Sequence, residues 1–266
     1  MQKLPLYLFI VFFSLAGSAF ASDTAKEKRW ADQIVDAILV GEAKWLPVGE
    51  HKILGIYAEA TTPEAMGGAL ILHGSGVHPN WPDVVYPLRT QLPDHGWHTL
   101  SIQMPILPNE ADYKDYAPLF PEVAPRIEAG IKFLQDQGIQ NIVIIAHSLG
   151  TTMAAHYLAG KPNPAVRAFV AVGMPGQQSN IEQMNNIKSL EKITLPMLDI
   201  YGSDDLENIR TTKAQRASAA KRAGNSAYTQ VEVPGANHFF NNQGDALVKR
   251  VRGWLEKHAA GTEVKK

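Results

Sequence analysis

Two rhythms of apolar residues alternate along most of this chain. Short apolar runs closed by glycine, proline or polar residues read as strands: HKILGIYAEA, GGALILHG, WHTLSIQMP, NIVIIAHS, VRAFVAVGMP, PMLDIYGSDD and AYTQVEVPG. The first alternates, as an early sheet strand does, whereas unbroken runs such as GGALIL suit strands buried on both faces. Between the runs, apolar positions recur three and four residues apart. Residues 22–40 show this spacing through Trp30, Ile34, Ala37 and Ile38, and WPDVVYPLRTQLPDHG reads as a helix with proline-marked ends. PEVAPRIEAGIKFLQDQG, LGTTMAAHYLAG, TTKAQRASAAKRAG and DALVKRVRGWLEKHA complete the helical set. Strands alternating with helices predict an α/β fold, a mostly parallel sheet with helices on both faces. No repeat, low-complexity tract or linker interrupts the series. Residues 22–260 therefore read as one domain and 261–266 as a polar tail. The connection between VAVGMP and LPMLDIYG is short, polar and asparagine-rich, with room for a small cap only.

The first 21 residues follow neither rhythm. Lys3 precedes the apolar stretch LYLFIVFFSLA, and Ala19-Phe20-Ala21 fits a small-x-small cleavage site. Residues 1–21 are thus expected to be a secretory signal peptide, cut before Ser22. The apolar stretch is shorter than the roughly 20 residues that a spanning helix needs, so no stable membrane span is expected after cleavage. The expected destination is the periplasm or the exterior.

Composition removes several classes of chemistry. There is no cysteine, which excludes disulfides, thiolate metal sites and a thiol nucleophile. With 25 basic and 26 acidic residues, the chain offers no electrostatic case for nucleic acid or an anionic membrane surface. Its nine histidines fall in no metal-ligand spacing, and neither a P-loop nor a G-x-G-x-x-G string follows a strand. No metal and no cofactor is implied.

The candidate chemistry sits where strands end. IIAHSLGTT puts Ser148 between an apolar run and a helical stretch, either as an exposed nucleophile or as an ordinary helix N-cap. Ala146-His147-Ser148-Leu149-Gly150 matches the nucleophile elbow G-x-S-x-G, with alanine for the first glycine. Three further strings close strands: His73-Gly74-Ser75-Gly76 after GGALIL, Gly202-Ser203-Asp204-Asp205 after PMLDIY, and PGANHFF, with His238, after TQVEV.

In that order the four motifs resemble the serine-type α/β-hydrolase superfamily. The resemblance implies Ser148 as nucleophile and His238 as the base that moves its proton. It implies Asp205 as the acid that orients His238, because the aspartate follows glycine and two variable residues; Asp204 is the rival. Asp199, inside the strand, reads as structural. The resemblance also implies an oxyanion hole from the backbone N–H groups of Ser75 and Leu149, with His73 propping the loop. An aspartate at the elbow would indicate haloalkane or epoxide chemistry, and a cysteine the dienelactone hydrolases; here the residue is serine.

The segment HPNWPDVVYPLRTQLPDHGWHTLSIQMP, together with the leader and the HGSG loop, resembles a branch of bacterial envelope proteins classed as a domain of unknown function. His73, Gly74, Gly76, His147 and Trp81 are the expected pocket residues, with His78, Asn80 and Gln103 near the same strand ends and Met104 and Pro105 as its floor. The implied protein is an exported serine hydrolase that cleaves a carboxylic ester through an acyl-enzyme, with thioesters and amides as chemical neighbours. Its substrate is expected to be a small-molecule or envelope-derived acyl compound. Two other readings use the same residues: a binding or scaffold module on the same fold, and an acyltransferase whose acceptor is an alcohol in place of water.

Overall fold

The structure, a computed structural model, describes residues 22–176, 180–259 and 261. The expected signal peptide and most of the polar tail lie outside the described residues. Eight strands form one sheet in the order β1-β2-β4-β3-β5-β6-β7-β8. Strands β1 (Glu42–Val48) and β2 (His51–Ala58) make an antiparallel hairpin, and β2 runs antiparallel to β4 (Trp97–Ile102). From there every pairing is parallel, through β3 (Gly67–Leu72), β5 (Ile142–His147), β6 (Val166–Val172), β7 (Met197–Asp204) and β8 (Tyr228–Asn237). This is the mostly parallel α/β sheet that the apolar pattern predicts, in the α/β-hydrolase form that the resemblance implies.

The two-residue period of a strand sorts its side chains onto two cores. Leu70 and Leu72 of β3 and Ile142, Ile144 and Ala146 of β5 face one core, which α3 (Phe120–Asp136) and α4 (Leu149–Leu158) cover. Ala69, Ile71, Val143 and Ile145 face the other, under α2 (Val85–Gln91) and α8 (Gly244–His258). Because β3 and β5 are buried at every position, they read as continuous apolar runs. Helix α1 (Thr24–Val35) starts at Asp23, whose side chain accepts the Lys26 N–H at 2.9 Å, and packs Ala31 and Ile34 on Leu54 and Ile56 of β2.

Two features differ from the sequence expectation. Strand β1 is absent from it: Glu42 and Trp45 are exposed and Pro47 donates no hydrogen bond, so the segment lacks an apolar run, and an edge strand tolerates proline. The helix expected over 81–96 is shorter. Val84 turns with φ 57°, α2 spans only Val85–Gln91, and a tighter 3-10 turn at Leu92–His95 carries Pro93. The connection after β6 holds α5 (Asn186–Leu190), one short helix of the small cap. After β7 come α6 (Glu207–Thr211) and α7 (Lys213–Arg222). Asp199 of β7 is fully buried against Arg216 of α7 at 2.7 Å, and it accepts the Tyr228 hydroxyl and the Gln230 amide at 2.6 and 2.8 Å. It is the structural residue that its strand position predicts.

Candidate active site

Ser148 bridges the end of β5 and the start of α4 with φ 53° and ψ −122°. For a residue with a side chain this backbone costs about 1–3 kcal/mol, and it persists only where its surroundings impose it. Here they do. The Ser148 N–H donates to Val172 O at 3.0 Å, and Ser148 O accepts the Thr151 N–H at 2.9 Å and its hydroxyl at 2.6 Å. Gly150 packs so closely that a Cβ would meet His73 O at 2.5 Å. The Ser148 hydroxyl makes no capping bond to α4. It donates elsewhere.

Its partner is His238, whose Nε2 lies 2.9 Å from Ser148 Oγ, while Nδ1 lies 2.7 Å from Asp205 Oδ1. His238 follows β8 in a turn held by Asn237, whose side-chain oxygen accepts the N–H groups of Phe239 and Asn241 at 3.1 and 3.2 Å. Behind it Phe240, at φ 53°, is buried in the core and fixes the turn. Asp205 is buried just beyond β7, where its carboxylate also accepts the N–H groups of Leu206 at 2.7 Å and Gly202 at 3.3 Å. With Nδ1–H donating to Asp205, Nε2 is left to accept from the Ser148 hydroxyl. Asp204 is exposed and bonds to Ser203. Between the two expected acids, the one in contact with His238 is Asp205.

The loop after β3 abuts this serine: a Cβ on Gly74 would lie 3.0 Å from Ser148 Cβ. His73 supports the loop from beneath. Its Nε2 accepts the Met104 N–H at 2.9 Å, so Nδ1 carries the proton and donates to Gly74 O at 2.8 Å. Burial pushes its pKa down to about 3, so the ring is neutral. The N–H groups of Ser75 and of Leu149, the first residue of α4, take no partner among the described residues. Gly76 turns with φ 67° and donates its N–H to Tyr116 Oη at 3.2 Å. His147 is also buried and neutral, with a pKa lowered to about 4 by burial and then by the neighbouring His238. Its Nε2–H donates to the His238 carbonyl at 3.0 Å, steadying the turn rather than facing solvent.

In front of Ser148 and His238 opens a cleft of about 490 Å³, lined by Asp112, Tyr113, Lys114, Pro175, Leu206, Asn208 and Ile209. Among the described residues no group of three or more His, Asp or Glu side chains is placed to hold a metal ion.

Residues 21–121 and 108–257 match the family described as Protein of unknown function (DUF3530). The chain belongs to that family. No curated protein matches the chain. Solved structures share the fold of this DUF3530 chain. A dienelactone hydrolase from Anabaena variabilis is 21% identical with TM-score 0.65, over 82% of this chain and 97% of that one. Est1E from Butyrivibrio proteoclasticus is 14% identical with TM-score 0.64, over 81% and 98%. An α/β serine hydrolase without lid from Xanthomonas campestris is 12% identical with TM-score 0.61, over 85% and 98%.

The cleft wall differs from the expected pocket. His73, Gly74, Gly76, His147 and Trp81 do not line it. His73 and His147 lie behind the site, Gly74 touches Ser148 from the side, and Trp81 packs with His78, their ring centroids 5.4 Å apart. Asn80 is taken up by Arg89 at 2.9 Å, and Gln103 and Met104 hold His73. The residues that do line the cleft come from the loop before α3, the start of the cap and the stretch after Asp205. One contact marks this wall in the interior: Tyr113 Oη lies 2.6 Å from Thr152 Oγ1, which also accepts from Asn186 at 2.9 Å. Nothing in the rhythm of these loops separates lining positions from solvent-facing ones.

Proposed function

We propose that this DUF3530 protein is an exported serine hydrolase acting on carboxylic esters. Ser148 attacks the acyl carbonyl carbon as His238 Nε2 takes its proton. The N–H groups of Ser75 and Leu149 receive the oxyanion, and Asp205 stabilises the imidazolium. His238 then passes the proton to the departing alcohol, leaving an acyl-enzyme. Water, deprotonated by the same imidazole, attacks that ester and releases the acid, restoring Ser148.

One observation carries the reading: an unbroken hydrogen-bonded chain, Ser148 Oγ to His238 at 2.9 Å and His238 to Asp205 at 2.7 Å, opening on a cleft. A scaffold module has no need of a serine held in a strained conformation with its hydroxyl turned from the helix it precedes. A cleft of about 490 Å³ walled by Tyr113, Pro175, Leu206 and Ile209 suits a modest acyl or aryl group, in the size range of small-molecule sites. Export rests on the leader over residues 1–21, cut before Ser22.

The test is covalent labelling with a fluorophosphonate probe, followed by peptide mass spectrometry. The expected adduct is on Ser148, absent in Ser148→Ala and slowed by about 10³-fold or more in His238→Ala. Folded wild-type protein that takes no label sinks the hydrolase reading and favours the binding module. For a labelled enzyme, product analysis with added alcohol then separates hydrolysis from acyl transfer.

A further inference from the structure

Ser22 is held by side chains from across the fold. It is buried, its N–H donates to Glu122 Oε1 at 2.8 Å, and its hydroxyl donates to Glu122 Oε2 at 2.8 Å. The next residue is fixed as well, with the Asp23 N–H on Ile106 O at 2.8 Å. Arg126 completes the cluster. One of its terminal nitrogens reaches Ser22 Oγ at 2.9 Å and Glu122 Oε2 at 2.8 Å, and the other reaches Glu27 Oε1 at 3.1 Å and Gln103 O at 3.3 Å.

Two carboxylates and one guanidinium leave one negative charge over. The Arg126 side chain is 0% exposed, that of Glu27 8% and that of Glu122 25%, so the surplus is buried at Glu27 and half-buried at Glu122. Burial raises the Glu27 carboxyl above its ordinary value, against the pull of Arg126. Lys26, the neighbouring cation on α1, does not supply the missing charge: its ammonium bonds Leu107 O at 2.8 Å and Asn109 Oδ1 at 2.7 Å. An incompletely compensated buried carboxylate is costly.

The atom already seated on Glu122 is the Ser22 nitrogen. In a chain that continues before Ser22 this nitrogen is a neutral amide with one hydrogen. Hydrolysis of the Ala21–Ser22 bond by a leader peptidase adds water across it. The carboxylate departs with residues 1–21 and the new amine takes up a proton. We propose that the α-ammonium of Ser22 so produced is the missing cation of the Glu122–Arg126–Glu27 cluster, and that leader removal thereby stabilises the folded domain. The inference rests on the export reading, with the cut before Ser22. Charge-assisted bonds from an ammonium to a carboxylate are about twice as strong as amide ones, and the site has acceptors in place for it.

The test is a thermal-unfolding cycle on the whole mature chain, released from a fusion by a protease that leaves an authentic terminus. Four proteins are compared at neutral pH: chains beginning at Ser22 or at Ala21, each with Glu122 or with Glu122→Gln. The chain beginning at Ser22 is expected to melt about 3 °C or more above the one beginning at Ala21. That gap is expected to shrink by at least half in Glu122→Gln. Equal melting temperatures, or a gap indifferent to Glu122, overturn the proposal. Should Glu122→Gln not fold, α-acetylation of the chain beginning at Ser22 removes the charge in the native background, with the same expected loss. Intact mass of protein recovered from cells expressing the full sequence tests the leader separately. A terminus other than Ser22 removes the export reading as stated, and the proposal with it. Ser22 as terminus with a null cycle removes the proposal alone.

Discussion

Two histidines beside the site are kept neutral by burial, His73 with a pKa near 3 and His147 near 4. In the unfolded chain each titrates near 6.5. Above about pH 6.5 both states hold the ring neutral and the folded state keeps its full advantage. As pH falls below that value the unfolded chain takes up protons that the folded chain refuses, so stability drops, and it goes on dropping toward pH 4 for His147 and pH 3 for His73. The melting temperature is therefore expected to decline between pH 6.5 and 4, and the decline to be shallower in His147→Gln. A slope unchanged by that substitution would show that His147 is not a neutral buried ring. Single residues also mark the limit of what the sequence shows. Asp205 was distinguishable from Asp204 by its spacing from Gly202, and burial now separates them. The support from His73 followed from its place in the loop. That His147 would hold the His238 carbonyl did not, because this contact joins residues 91 positions apart.

At the scale of elements, glycines set how closely the strands and the elbow can approach. A Cβ at Gly150 would meet His73 O at 2.5 Å, and one at Gly202 would run into the backbone of Ala236. Because both obstacles are backbone, they cannot rotate aside. Gly150→Ala and Gly202→Ala are each expected to cost about 2 kcal/mol or more in chemical denaturation, and to slow probe labelling as Ser148, or Asp205 and His238, are displaced. The alanine at the first elbow position behaves differently. Ala146 is buried in the core, so Ala146→Gly is expected to leave labelling intact and cost about 0.5–1 kcal/mol. Elements were legible where burial dictates composition: β3 and β5 are apolar at nearly every position because both their faces are covered. Strand β1 was not, since its exposed Glu42 and Trp45 and its Pro47 are what an edge permits. The helix over 81–96 was overestimated for the opposite reason. Its apolar spacing continues through Pro93, where the backbone tightens into a 3-10 turn.

For the whole molecule, one buried ion pair joins the cleft to the frame. Arg216 bonds Asp199 at 2.7 Å and also donates to Ile209 O at 2.8 Å, behind a residue that lines the cleft. Removing the cation alone leaves a buried carboxylate. Arg216→Met is thus expected to lower stability by about 3–5 kcal/mol in denaturant titration, and the further change Asp199→Leu to recover much of it. A double variant no better than the single would mean that packing, not charge, is lost. The cleft wall was the least legible feature, because Tyr113, Pro175, Leu206 and Ile209 come from separate connections whose mutual positions only the completed sheet determines.

The serine and the histidine that it touches stand 90 residues apart, and the aspartate 33 from the histidine. They meet because β5, β7 and β8 lie in one parallel sheet with β6 between β5 and β7. No local segment contains the contact, and pairings this distant along a chain are slow to close. The proposed reactivity of Ser148 therefore belongs to the assembled sheet and not to the turn that carries it. In a refolding chain the proposed reactivity is expected to stay silent until β5, β7 and β8 are all in place.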